Sequence, residues 1–134
     1  MRTVFNYFVL LIVALAFACA TNFNAVDIEN GDMCSFCRMA ISEKQFAAEI
    51  VTKDESVLKF DDIGCMLRYR KTKGANLDAA AIYVADSETK KWIKAEDAFF
   101  IRSTTVKTPM GGGIIAFSSA DREGALRFSD LEKE

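Results

Sequence analysis

From Cys34 to Met39 the chain reads Cys34-Ser35-Phe36-Cys37-Arg38-Met39, which places two thiols and a thioether within six residues. The chain contains no histidine. Donors drawn only from Cys and Met sulfur are soft and polarizable, and they select Cu(I) over hard or borderline ions. Much later, Pro109-Met110-Gly111-Gly112-Gly113 offers another thioether on a glycine-rich stretch where backbone can approach closely. The expectation is that these two segments meet around one Cu(I). Cys37 and Met39 stand two positions apart, so in extended chain both side chains point the same way. Thiolate supplies charge and strong binding, and neutral thioethers add affinity without blocking departure, which suits delivery.

The Cys34-x-x-Cys37 spacing also fits redox chemistry, a local disulfide or chelation of another metal. Zinc needs about four ligands. The donors for it are Cys34, Cys37 and Cys65 with a carboxylate such as Asp61 or Asp62. Cys65 has two readings, as a buried small hydrophobe or as a third thiol if its helix start faces the site. Met33 and Met66 are assigned to core packing. A thiol–disulfide oxidoreductase using Cys34 and Cys37 is the competing function, with Pro109, the chain's one proline, on the facing loop. Against it, the βαβ context expected around such a motif is missing. A scaffolding lipoprotein with a Cys34–Cys37 disulfide is a third reading.

The elements that must position these donors alternate between strand and helix. Phe46–Val51 has the period of a half-buried strand, and Val57–Phe60 returns from a turn at Asp54-Glu55-Ser56. Asp61 or Asp62 caps a helix carrying Ile63, Met66, Leu67 and Tyr69, which stops at Lys73-Gly74. Ala80–Val84, Trp92-Ile93, Ala98–Arg102 and Gly113–Phe117 are further strands. The third of these is apolar on both faces, so a central place is expected for it. Ser118 with Asp121 three residues on is expected to open a second helix through Ala125, Leu126 and Phe128. A weak echo links Phe60-Asp61-Asp62-Ile63 to Phe117-Ser118-Ser119-Ala120, each leading from a hairpin into a helix. The fold class is therefore α+β, with helices on antiparallel sheet, in two related units over residues 33–75 and 80–131.

The chain has 134 residues and a formal charge of −2. Mixed charge without a basic face argues against a nucleic-acid partner; the basic run Arg68–Lys73 reads as a solvated helix end. After Arg2, the apolar run Val9–Ala18 is short for a membrane span but suits a secretory signal over residues 1–18. Ala16-Phe17-Ala18-Cys19 resembles a bacterial lipobox, with Phe17 bulky where a small residue is usual, and Cys19 would carry the lipid. Residues 19–32 are polar and small and read as a flexible tether. With Cys19 lipidated, three of the four cysteines remain, an odd number that argues against a purely structural disulfide framework.

Together these features resemble the NosL family, the lipid-anchored accessory proteins of nitrous oxide reductase assembly. The resemblance lies in the lipoprotein signal, the Cys37-Arg38-Met39 element and the segment Lys59–Met66. It continues through Tyr83-Val84-Ala85-Asp86 with Trp92-Ile93, and ends in Thr108–Phe117. It implies two similar ββαβ-type units within residues 33–134 and a Cu(I) site of Cys37, Met39 and Met110. It also implies a non-enzymatic periplasmic chaperone, anchored by lipid with an outer-membrane address, that delivers copper to nitrous oxide reductase through a membrane assembly complex. Arg38 departs from the glycine many members carry. Cys34 is an added thiol, leaving open whether it holds copper together with Cys37.

Overall fold

The computed structural model describes residues 22–133; the signal segment 1–18 and Cys19 lie outside them. Strands β1 (Ala48–Thr52), β2 (Val57–Phe60), β3 (Ala79–Ala85) and β4 (Trp92–Lys94) form one antiparallel sheet in the order β2-β1-β3-β4. Helix α1 (Ile63–Lys73) connects β2 to β3. Strands β5 (Phe99–Arg102) and β6 (Ile114–Phe117) pair antiparallel as a separate hairpin, and a four-residue helix α2 (Phe128–Leu131) follows. The class is the expected α+β.

Local chemistry explains the first helix. Asp62 is extended, and its side chain accepts the Cys65 N–H, so it is the N-cap. The helix ends on Gly74, whose φ of 51° lies in the left-handed region. Ala48 and Ile50 of β1, Phe60, and Ile63 and Met66 of α1 are fully buried in one core. Burying a side chain of the size of Ile or Met contributes about 1.5–3 kcal/mol, so the helix is held by packing more than by its own propensity.

The other face of the sheet is covered by the chain's early residues. Glu49 faces Lys59 on one side and Tyr83 on the other in register, so the three share a face. The Val26 N–H donates to Glu49 Oε2 at 2.9 Å, the Tyr83 hydroxyl to the Phe23 carbonyl at 2.7 Å, and Lys59 Nζ to the Asp27 carbonyl at 2.8 Å. Ile28 is buried. From Phe23 onward, then, the stretch expected to be a tether is a strap across the sheet. Composition alone hid this, because much of the fastening is through main-chain groups.

Two further expectations are corrected. β5 is central only at Phe100: its ladder partner is β6, and its other edge carries a single antiparallel bridge, from Phe100 to Leu126, with Phe100 packed in the main core. Ser118 does not open a helix: its N–H donates to Asp86 Oδ2 at 2.9 Å, and the chain beyond it turns. The helix appears later, where the Asp130 carboxylate accepts the Arg127 N–H. The early half thus runs hairpin, eleven-residue helix, strand, while the late half runs hairpin and a single helical turn.

Candidate metal centre

The early thiols sit in a closed turn. Met33 and Ala40 form an antiparallel bridge. Inside it the Cys34 N–H donates to the Met39 carbonyl at 2.8 Å, and the Arg38 N–H to the Cys34 carbonyl at 3.0 Å. The Ser35 N–H donates to the Lys59 carbonyl at 2.7 Å, which seats the turn on the end of β2. Closing so tight a loop drives Arg38 to a φ of 65°, a conformation costly for any residue but glycine.

Helix α1 begins directly against this turn. The Sγ atoms of Cys34, Cys37 and Cys65 and a carboxylate oxygen of Asp61 all lie within 4.8 Å of one another. Cys34 and Cys65 are fully buried, and Cys37 is half-buried at the edge. All three thiols are free. The Cys37 thiol donates to Asp61 Oδ2 at 3.5 Å. Burial pushes the Cys37 thiol up from its ordinary value, and although the Met39 N–H works the other way, the Cys34 and Asp61 side chains push it up further. Burial, then the Asp61 side chain, push Cys65 up more strongly still. Metal-free, the pocket thus favours neutral thiols; a bound cation reverses that preference by replacing the protons.

The late methionine arrives through Asp62. While its Oδ1 caps α1 through the Cys65 N–H at 2.7 Å, its Oδ2 accepts the Met110 N–H at 2.9 Å and the Thr108 hydroxyl at 3.2 Å. Thr108 Oγ1 in turn accepts the Gly113 N–H at 3.1 Å. One buried carboxylate therefore ties the glycine loop to the helical turn that carries Cys65. Glycine is required at 113, where an added Cβ would stand 2.1 Å from the Ser103 carbonyl oxygen. Met110 is half-buried, on the same core as Cys37. Met39 is 55% exposed.

Of the donors expected from the sequence, Cys34 and Cys37 come together closely. Met110 reaches the same helix start through its backbone, and Met39 stands at the solvent edge. Cys65, which the sequence left between core and ligand, is a full member of the thiol cluster. Asp62 was legible as a cap, but its second role was not, because the partner loop lies 46 and 48 residues away. Thr108 carried no local signal of its part.

The family described as NosL matches residues 25–132 of this chain. Among solved structures, the crystal structure of the copper chaperone NosL from Shewanella denitrificans superposes with a TM-score of 0.66 at 22% sequence identity, covering 84% of this chain and 85% of that one. At that identity the likeness establishes a shared fold. No curated protein gives a significant match by sequence.

Proposed function

Because the chain belongs to the NosL family, we propose that it is a chaperone that binds Cu(I) and hands it on. The observation that carries this reading is the convergence of three sulfur atoms from two distant segments on one small site, with no imidazole anywhere in the chain. Soft thiolates in that number hold Cu(I) in linear or trigonal coordination without demanding a particular geometry. Cys37 is the central donor, with Cys34 and Cys65 beside it, and Met39 and Met110 are the further donors, where a neutral thioether eases departure. Met39 at the surface and Cys34 in the interior give the metal a path from solvent inward.

In this proposal residues 1–18 are a signal, Cys19 carries lipid, and residues 33–134 are the copper-binding domain on the periplasmic side of the outer membrane. The recipient is nitrous oxide reductase, reached through its membrane assembly complex. Anaerobic titration with Cu(I) tests the central claim. One tight equivalent is expected, weakened at least tenfold by Cys37→Ala and by Met110→Ala. Stoichiometric binding indifferent to both substitutions would remove the assigned site.

Zinc is the second reading, favoured by one observation: Cys34, Cys37, Cys65 and Asp61 supply the four donors a tetrahedral ion takes. Its signature would be Zn²⁺ binding that depends on Cys65 and Asp61 and ignores Met110. The oxidoreductase reading finds less support, since a reactive cysteine needs a lowered pKa and burial here pushes Cys37 and Cys65 up.

A further inference from the structure

β1 lies between β2 and β3, and its Glu49 is fully buried beneath the strap. The neighbours in register, Lys59 on β2 and Tyr83 on β3, both turn their polar ends to the strap. Lys59 Nζ is held by the Asp27 carbonyl at 2.8 Å and the Asp32 carboxylate at 2.6 Å, and the Tyr83 hydroxyl by the Phe23 carbonyl at 2.7 Å. Glu49 is left with the Val26 N–H, at 2.9 Å on Oε2, while Oε1 has no partner among the described residues. The charged groups facing it are Lys59, already paired, and the carboxylates of Asp32 and Asp27 on the strap, which oppose a further negative charge.

In such a place a neutral carboxyl costs one unmade hydrogen bond, whereas an ionised one costs the desolvation of a full charge. The proton therefore stays while the strap is seated, and burial raises the carboxyl to about 7. Water reaches Oε1 once the strap lifts. Beyond Val26, itself 46% exposed, the strap runs directly into the base of the cysteine turn. The Asp32 carboxylate accepts the Glu29 N–H at 2.7 Å as well as Lys59, and the Asp32 carbonyl accepts the Ile41 N–H at 2.9 Å. The Lys59 carbonyl, on the same residue as the clamping ammonium, accepts the Ser35 N–H at 2.7 Å. Strap and turn thus share Lys59 and Asp32 as fastenings.

We propose that Glu49 is a proton-operated latch: protonated, it keeps the strap seated and the cysteine turn closed, and ionised, it lets both open. What this does to a metal on the thiols rests on the copper reading; the latch itself does not. With the strap lifted, the carboxyl regains its ordinary value of 4.5, while the closed form keeps its proton up to about 7. Between those values the open form sheds a proton that the closed form retains. Opening therefore grows about tenfold for each pH unit across the window and levels off above it, roughly a hundredfold or more in all. A local opening of this kind involves the least packed segment and leaves the sheet intact.

The test follows amide hydrogen exchange in the metal-free protein, so that its failure leaves the copper titration standing. Each rate is divided by that of an unstructured peptide at the same pH. Protection of the Val26 and Ile41 amides is expected to fall together, by roughly a hundredfold between pH 4.5 and 7. In Glu49→Gln, whose side chain carries no titrating proton, both should stay level. The Ile50 amide of the inner strand should exchange well after them at every pH. Independently of any variant, the Glu49 carboxyl carbon should titrate near 7 by nuclear magnetic resonance. The proposal is overturned by a carboxyl that titrates at its ordinary value, or by an equal pH response in Glu49→Gln. It is also overturned if Val26 responds without Ile41, which would leave the turn uncoupled, or if all three amides exchange at one rate, which would mean that the strap opens only with the whole fold.

Discussion

At the residue scale, single side chains here hold two tasks at once, and their substitutions separate those tasks. Arg38 is held at a φ of 65° by the turn that closes the cysteine pair. Replacing it with glycine removes the steric cost of that conformation, so Arg38→Gly is expected to raise stability by about 0.5–1 kcal/mol in urea unfolding. The gain must appear without change in the thiol cluster's metal stoichiometry. A loss of stability would mean that the Arg38 side chain does more than tolerate its backbone. The Cys-x-x-Cys and Cys-x-Met spacings were legible because close donors in sequence are close in space whatever the fold. Cys65 and a carboxylate at 61 or 62 were named from the sequence only as candidate donors; that Cys65 and Asp61 join this site was left open, since 24 or more residues separate them from Cys37.

At the scale of elements, the first turn of α1 is the junction of the molecule. Its capping carboxylate serves the helix on one oxygen and the glycine loop on the other. Asp62→Ala should therefore cost more than an ordinary lost cap: about 1 kcal/mol for the cap and a further 1–3 kcal/mol for the Met110 N–H and Thr108 hydroxyl left without it. Thermal unfolding measures the total, and Asp62→Asn, which keeps one acceptor oxygen and places a donor at the other position, should recover the cap but not the link to the loop. If Asp62→Ala costs no more than an exposed cap, the loop does not depend on this link. The helix itself was readable from Asp62, its apolar positions and Gly74, all local signals. The missing second helix at Ser118 shows the limit of such signals: the Ser118 N–H is held by the Asp86 carboxylate, 32 residues away, a contact no local pattern marks. Although burial raises it, hydrogen bonds from Thr89, Ser118 and Glu88 hold the Asp86 carboxyl down at about 2.

At the scale of the whole molecule, the strap over the second face of the sheet encloses a titratable group. Burial raises the Glu49 carboxyl to about 7 from an ordinary 4.5, although the Val26 N–H and Lys59 oppose the shift. Its Oε1 has no hydrogen-bond partner among the described residues. With the folded-state value raised, the fold takes up a proton there: the stabilisation is fully present below about 4.5 and lost as pH rises through about 7. Wild-type stability should fall by about 3 kcal/mol across that window, and Glu49→Gln should flatten the profile. A pH profile unchanged by that substitution would mean the carboxyl is not enclosed. The strap leads straight into the cysteine turn through Asp32, whose carboxylate pairs with Lys59 at 2.6 Å, so loosening it would reach the metal centre. By itself the sequence determined the soft character of the donors, the α+β class and the ends of the first helix, because donor chemistry, side-chain period and capping act over a few residues. Only the tertiary structure decided which thiols share a site, what holds the late methionine's loop and what covers the sheet. Those depend on contacts between segments far apart in the chain, formed largely by backbone groups that every residue carries and no sequence pattern marks.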